Sequence, residues 1–194
     1  MYESKPNFRT PPNTTTLGMW LMLIALAVLF AATMLGYAII RSRLHNDAAL
    51  GTVRLPTALW LSTALILAGS VTIHLALHAV RRERQFALRR YLLLTSMLAA
   101  AFVVVQAPSL WRLLEQHQHL RQQGVAVYGL IFFLILVHAL HVVGGIIALA
   151  VVTINALRGR YDHESHNAVK HAAMYWHFLD AVWLIMFFGM IAMG

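Results

Sequence analysis

Long apolar runs separated by short polar connections dominate the hydrophobic pattern of this chain. Five of these runs carry almost no charge and reach the roughly 20 residues that a helix needs to cross the hydrocarbon core of a bilayer. They cover residues 17–40, 55–80, 91–110, 125–156 and 172–193. The pattern therefore predicts an all-α, polytopic membrane protein built as a bundle of five transmembrane helices.

The remaining polar residues form an N-terminal tail, 1–16, and four short connections. These segments leave no room for a water-soluble domain, so we predict a single transmembrane domain over residues 17–194. The tail has no apolar core followed by small residues, and we therefore expect no cleaved signal peptide. Charged residues make up 11% of the chain, against about 25% in soluble domains, which agrees with this class.

The distribution of basic residues predicts the orientation of the bundle. Ten of the 15 lysines and arginines fall on the side of the N-terminus, and five fall on the other side. The positive-inside rule then places the N-terminus in the cytoplasm and the C-terminus outside. Loop arginines at lipid headgroups account for the net charge of +8, so no nucleic-acid partner is expected.

The absence of cysteine excludes disulfides, thiolate metal sites and iron–sulfur clusters within this chain. Small residues should instead allow the helices to approach closely in the membrane. The candidates for such approaches are Gly18, Gly36, Gly69 and the pair Gly144-Gly145.

Histidines and one carboxylate are the candidate chemical groups of the apolar segments. His138 and His141 lie three residues apart in the fourth run, and His177 and Asp180 lie three apart in the fifth. Such spacing puts each pair on one face of a helix. Because a carboxylate is expensive in hydrocarbon, Asp180 should face protein and have a partner, either His177 or a histidine of the fourth helix.

Three interpretations of these groups remain open. A bis-histidine haem site would need ligands on two helices, which His74 and His141 could provide. A di-metal site would need several converging carboxylates, and the apolar segments offer Asp180 alone. The third interpretation is that the histidines are neutral and hydrogen-bonded between helices or to Asp180, as polar side chains in membranes commonly are.

Two of these segments resemble a known family. The run from Tyr175 to Trp183 resembles the final helix of subunit III of haem-copper respiratory oxidases, and the run from His138 to Gly144 resembles the penultimate helix. Weaker similarities follow in chain order at Leu17–Leu21, Leu61–Leu65 and Leu92–Thr95 with Gln106. The chain resembles the five-helix bacterial form of this family over almost its whole length.

The resemblance implies a non-catalytic subunit of the bacterial inner membrane rather than an enzyme. Such a subunit packs against the haem-bearing subunit I, binds phospholipid, and supports the stability and proton uptake of subunit I. Haem and copper would then lie in partner subunits, with no cofactor or metal in this chain. The nearest alternative is the related subunit associated with nitric oxide reductase. An alternative of another class is a bis-histidine haem b electron carrier.

Two departures limit what the resemblance transfers. Many members of the family carry a buried glutamate where this chain has Leu26, so no role of that carboxylate can be assigned. The residues 107–111 that follow Gln106 also differ from the usual aromatic and acidic pattern. The five-helix form lacks two N-terminal helices, so we do not expect the lipid cleft that those helices form.

Two polar segments on the predicted cytoplasmic side are further candidates. Arginines near a membrane surface attract anionic headgroups, and the candidate lipid contacts are Arg81, Arg82, Arg84, Arg89 and Arg90. Histidine exchanges protons near neutral pH, and the resemblance places subunit III beside a proton entrance of subunit I. The candidate proton antenna is Asp162, His163, Glu164 and His166.

Overall fold

Five α-helices account for almost all of the residues that the computed structural model describes, which are 12–43, 58–121, 126–161 and 167–193. The helices are α1 (Pro12–Arg43), α2 (Ala58–Arg81), α3 (Gln85–Arg121), α4 (Ala126–Leu157) and α5 (Asn167–Met193). Each contains a segment that is long and apolar enough to cross a membrane. The predicted all-α class with five transmembrane helices is confirmed.

The helices extend beyond the apolar runs. α1 begins at Pro12 within the predicted polar tail, where a proline suits the first helical turn. α3 covers residues 85–121 rather than 91–110. Its extension contains leucine, arginine, glutamate and glutamine, which are good helix formers. The apolar pattern thus marks the membrane-crossing part, whereas helix propensity decides where the backbone hydrogen bonds stop.

α2, α3, α4 and α5 form a four-helix ring in which each helix packs against the next. The tight turn at residues 82–84 makes α2 and α3 an antiparallel pair. α1 packs outside this ring, where it contacts α4 and α5. α5 therefore touches three helices, whereas α1 presents much of its surface to the surroundings.

Two matching helix ends lie on the same side of the bundle. After α2, the amide of Arg84 donates to the Ala79 carbonyl and Glu83 takes a left-handed conformation, with φ of 57°. After α4, the amide of Arg160 donates to the Asn155 carbonyl, and Gly159 has φ of 69°. Both helices end in a Schellman-type motif, in which backbone amides beyond the helix donate to its last carbonyls. Glycine adopts this backbone without steric cost, whereas Glu83 does so against its preference.

The interior of the ring is filled by large side chains. Trp183 and Phe187 of α5 are almost fully buried, as are Ile73 of α2, Leu92 of α3 and Leu149 of α4. These residues belong to one continuous cluster. A smaller cluster joins α1 to the ring and contains Phe30, Leu134, Val182 and Met186.

The prediction that small residues allow close helix approach is confirmed at two glycines. A Cβ atom at Gly145 of α4 would lie 2.8 Å from Leu179 Cδ1 of α5, and one at Gly69 of α2 would lie 3.4 Å from Trp176 Nε1. At Gly18 and Gly36 the prediction is wrong, because no described atom lies within 4 Å of such a Cβ. Both of those glycines belong to α1, the outer helix.

Candidate functional site

His177 and Asp180 of α5 face α2 near the middle of the membrane-crossing segment. Nδ1 of His177 lies 2.7 Å from Ser70 Oγ of α2, so the two side chains share a hydrogen bond. The same nitrogen lies 3.8 Å from Asp180 Oδ2. Asp180 is buried, whereas the side chain of His177 is 40% exposed. The pair therefore links α5 to α2 and places a carboxylate inside the bundle.

The carboxylate of Asp180 has an incomplete set of contacts. Both of its oxygens are buried and accept no hydrogen bond from the residues that the structure describes. His177 is the partner that the geometry supports among the predicted alternatives. Of the alternatives on α4, His141 bonds within its own helix, and His138 packs between the rings of Phe30 and Trp183.

The histidines of α4 do not form the interhelical hydrogen bonds that we expected. Nδ1 of His141 donates to the carbonyl of Val137 in its own helix, at 2.6 Å. Both ring nitrogens of His138 are buried and have no hydrogen-bond partner among the described residues. The reason is packing, since Phe30 of α1 contacts both imidazoles edge-on, with centroids 6.1 and 5.6 Å away. The ring of His138 also stacks on Trp183.

Trp183 is the polar link of the interior that the sequence motifs did not single out. Its Nε1 donates to Thr63 Oγ1 of α2 at 3.1 Å. Hydroxyl pairs join other helices in the same way, with Thr72 and Thr95 joining α2 to α3, and Ser96 and Thr153 joining α3 to α4. The signal that could have found them is a small hydroxyl residue recurring within otherwise apolar spans.

His138 also lines a pocket between α3, α4 and α5. The pocket has a volume of about 160 Å³ and is walled by Gln106 and Phe102 of α3, by Val142 of α4 and by Trp183. The Oε1 atom of Gln106 is buried without a hydrogen-bond partner among the described residues. The pocket thus combines an apolar lining with two unpaired polar side chains.

Three side-chain contacts fix the end of the bundle that carries the arginines. Thr16 Oγ1 of α1 lies 3.2 Å from His171 Nε2 of α5. Gln85 of α3 donates to the Tyr161 carbonyl at 2.7 Å. Nε of Arg89 donates to the carbonyl of Ala156, in the last turn of α4, at 3.1 Å. The start of α1, the α2–α3 turn, the end of α4 and the start of α5 therefore meet on one side.

The predicted lipid contacts lie around this α2–α3 turn. Arg81, Arg82, Arg84 and Arg90 are exposed. Arg89 is half-buried by its contact with α4 and serves there as a helix-end partner. The guanidinium of Arg90 lies 5.5 Å from the centre of the Phe86 ring. The predicted antenna residues, Asp162, His163, Glu164 and His166, fall outside the described residues.

The geometry does not support the bis-histidine haem interpretation. His74 is exposed on the outside of α2, and His141 packs against Phe30 of the outer helix α1, so the two imidazoles do not face a common space inside the ring. His74 is instead next to His177, with ring centroids 6.3 Å apart. No three His, Asp or Glu side chains are arranged to hold a metal ion in the part of the chain that the structure describes. Leu26, which replaces the family's glutamate, is half-buried in α1.

Comparison with known proteins agrees with the resemblance seen in the sequence. The family model described as cytochrome c oxidase subunit III matches residues 12–194. Cytochrome c oxidase subunit 3 of Corynebacterium diphtheriae is 32% identical over 126 residues, which is 64% of this chain and 60% of the relative. A probable cytochrome c oxidase subunit 3 of Nocardia farcinica is 27% identical over 182 residues, covering 91% of this chain and 86% of the relative.

Vertebrate relatives are similar over a smaller share of their length. Cytochrome c oxidase subunit 3 of Gallus gallus is 31% identical over 135 residues, which is 69% of this chain and 49% of the relative. The chain thus spans about half the length of these longer relatives. The bacterial relatives and the five spans together support a multi-pass protein of a bacterial inner membrane.

Proposed function

The chain belongs to the cytochrome c oxidase subunit III family, and on that premise we propose that it is a non-catalytic subunit of a haem-copper terminal oxidase. In this role it packs against the haem-bearing subunit I and stabilises it, while haem, copper and the reduction of oxygen belong to partner chains. Members of this family are one subunit of an oxidoreductase complex, so other subunits accompany such a chain.

The observation that carries the proposal is the way in which the interior polar groups are used. Trp183 donates to Thr63, His177 bonds to Ser70, and His138 stacks on Trp183. Each of these contacts holds helices together, and none directs several ligands toward one point. Interhelical hydrogen bonds and close packing are the usual means by which transmembrane bundles are stabilised. Such a bundle is suited to stabilising a neighbouring subunit.

Affinity purification of the tagged chain from its native membrane tests this proposal. We expect a larger membrane subunit with haem to co-purify, and the chain separated from it to lack a Soret band. A stoichiometric Soret band in the separated chain that His141→Ala bleaches would contradict the proposal and favour the haem b carrier. Co-purification with a nitric oxide reductase would favour the nearest alternative instead.

We also propose that the N-terminus is cytoplasmic and that the segment containing Asp162, His163, Glu164 and His166 collects protons for the partner subunit. The positive-inside bias supports the orientation. Support for the segment comes from its described neighbour in the chain, Tyr161, whose carbonyl accepts from Gln85 at the end of the bundle that carries the exposed arginines. Histidines and carboxylates there would exchange protons at the surface.

Replacing His163, Glu164 and His166 together with glutamine tests the antenna, with Ser165→Ala as the control. The triple variant keeps the polarity of the segment but removes three of its four proton-exchanging groups. We expect turnover of the assembled complex to fall mainly at high pH, where protons are scarce. An unchanged pH profile in a fully assembled complex would reject the antenna.

We propose, finally, that anionic phospholipid binds at the α2–α3 turn. Arg90 lines a groove on α3 that runs from Phe86 to Met97, and Tyr91, Leu94 and Met97 line its part toward the middle of the span. A phospholipid would fit this groove with its headgroup at Arg90 and an acyl chain along the apolar residues. Each surface arginine contributes about 1 kcal/mol to the attraction of anionic lipid.

Native mass spectrometry of the complex tests the lipid contact. We expect retained anionic lipid to decrease when Arg81, Arg82, Arg84 and Arg90 become glutamine, and to persist in Arg158→Gln, an exposed arginine at the end of α4. Lipid retention that the fourfold change does not alter would count against specific binding at this turn.

A further inference from the structure

Within the membrane-crossing segments, the helices differ in whether their outward surfaces expose histidines. In the span of α4, residues 132–157, every exposed position is apolar or glycine. The exposed positions of α3 from residue 93 to 108 are also apolar. By contrast, α2 exposes His74 and His78, and the side chain of His177 on α5 is 40% exposed. The half-buried His141 of α4 packs against Phe30 of α1, whereas His74 and His177 form an outward-facing pair where α2 and α5 meet.

These histidines belong to a continuous stripe. The exposed residues of α2 at helical spacing form what we term the α2 stripe, namely Leu67, Val71, His74 and His78. The rings of His74 and His177 have centroids 6.3 Å apart, which joins the stripe to α5. His74 precedes the end of α2 by seven residues, or about 10 Å along the helix. It therefore lies within the span rather than at the headgroup level.

A groove runs beside the stripe and shares His177 with it. The groove lies between α1 and α5, has a volume of about 440 Å³, and is lined mainly by apolar side chains. Trp20 and Ile24 of α1 form one wall, and Met174 and Phe178 of α5 form the other. An apolar groove that contains the imidazole of His177 has the chemistry to contact a helix that carries a polar side chain.

Lipid is a poor occupant for this surface. Ionisable side chains within transmembrane segments almost always face protein or a water-filled cavity, because hydrocarbon offers no hydrogen-bond partner. Nδ1 of His177 is already bonded to Ser70, and a neutral imidazole has a second nitrogen that needs a partner of its own. The exposed ring of His74 has the same need. A polar side chain from another polypeptide would meet it.

We propose that the α2 stripe and the adjoining groove form the docking surface for a transmembrane helix of the haem-bearing subunit. That helix would place a hydroxyl, amide or carboxyl group at the depth of His74 and His177. The partner's identity rests on the function proposed above, whereas the position of the surface rests on the exposed histidines. The apolar faces of α3 and α4 would then contact lipid.

Site-specific photo-crosslinking in the complete complex tests the surface. The α4 stripe of Leu136, Leu140, Val143 and Ile147 repeats the spacing of the α2 stripe and is equally exposed, so it provides a matched control. A photoreactive residue at Val71 should crosslink to the haem-bearing subunit, and one at Leu140 should crosslink to lipid. Lipid adducts at Val71, or protein adducts at Leu140 alone, would overturn the proposal.

A substitution gives a second, independent measurement. His74→Leu removes a polar group from the proposed interface without disturbing the Ser70–His177 bond. We expect the ratio of this chain to the haem-bearing subunit to fall by roughly threefold after detergent washing, as for one interhelical hydrogen bond in a membrane. Leu140→Ala should leave the ratio unchanged. An unchanged ratio in His74→Leu would also overturn the proposal.

Different outcomes would contradict the proposed function and the proposed docking surface. If no haem-bearing subunit co-purifies with the unaltered chain, the proposed function is wrong. If it co-purifies but is crosslinked through the α4 stripe, the function stands and the docking surface is wrong.

Discussion

The two sides of α5 are held by different kinds of contact. Toward α2, side-chain hydrogen bonds join Ser70 to His177 and Thr63 to Trp183. Toward α4, the helices approach so closely that Gly145 has no room for a side chain beside Leu179. Bonds between two side chains therefore cross the α2 interface of α5, whereas the α4 interface combines the tightest glycine contact with a bond from the Tyr175 hydroxyl to the His141 carbonyl.

The difference explains why two similar motifs have different surroundings. His138 and His141 on α4 have the same three-residue spacing as His177 and Asp180 on α5. On α4, the aromatic ring of Phe30 occupies the space beside both imidazoles. On α5, a small hydroxyl residue, Ser70, is within hydrogen-bond distance. Spacing thus decides which residues share a face, whereas the size of the facing residue decides whether they find a partner.

Gly145→Leu should have the largest effect of the changes considered. Its Cβ alone would lie 2.8 Å from Leu179 Cδ1 and 3.2 Å from Tyr175 Cε1, so these side chains or the two helices must shift to fit a leucine. Overpacking of this kind typically costs about 1–3 kcal/mol or more. We expect a clear loss of thermal stability of the purified chain and of its retention in the complex.

Gly18→Leu provides the control for that prediction, because no described atom lies within 4 Å of a Cβ at Gly18. It should leave the thermal transition unchanged. Equal destabilisation by both variants would mean that the close approach of α4 and α5 is not the cause.

Thr63→Val should have the next largest effect, on the polar side of α5. It removes the acceptor of Trp183 Nε1, a donor that lies in a fully buried side chain. An unsatisfied buried group costs about 1–3 kcal/mol. Detergent denaturation followed by tryptophan fluorescence should report the loss, whereas Thr63→Ser keeps the hydroxyl and should remain close to the unaltered protein. No difference between the two variants would contradict the assigned bond.

Ser70→Ala should have a smaller effect than Thr63→Val. The partner of Ser70, His177, is 40% exposed, and its Nδ1 also lies 3.8 Å from Asp180 Oδ2, which can accept in place of Ser70. Hydrogen bonds between transmembrane helices average about 0.6 kcal/mol. The same denaturation assay should therefore give a shift well below that of Thr63→Val, and a larger shift would mean that the Ser70–His177 bond dominates the α2–α5 interface.

Part of this picture could be predicted from sequence, and part could not. The apolar runs located all five helices because a span of about 20 residues has few alternatives in a bilayer. They did not locate the start of α5 at Asn167 or the end of α3 at Arg121, since the polar turns of a helix carry no such pattern. The His177–Asp180 pair was predicted because the two residues are close in the chain.

Contacts between distant residues were harder to predict. Trp183 and Thr63 are 120 positions apart, and nothing in the local sequence of either residue indicates the other. Phe30 likewise lies far from His138 along the chain, so its effect on the α4 histidines depends on how α1 packs. A single sequence reveals which side chains need partners but not which distant residues provide them.

We infer that the intramembrane polar groups are structural rather than catalytic. Asp180→Asn tests it most directly, because it preserves the shape of the side chain while removing its charge and its capacity to exchange a proton. The measurement is turnover per assembled complex, with the amount of retained chain determined on the same sample. We predict near-normal retention and near-normal turnover. Normal retention with abolished turnover would contradict the claim and assign Asp180 a direct chemical role.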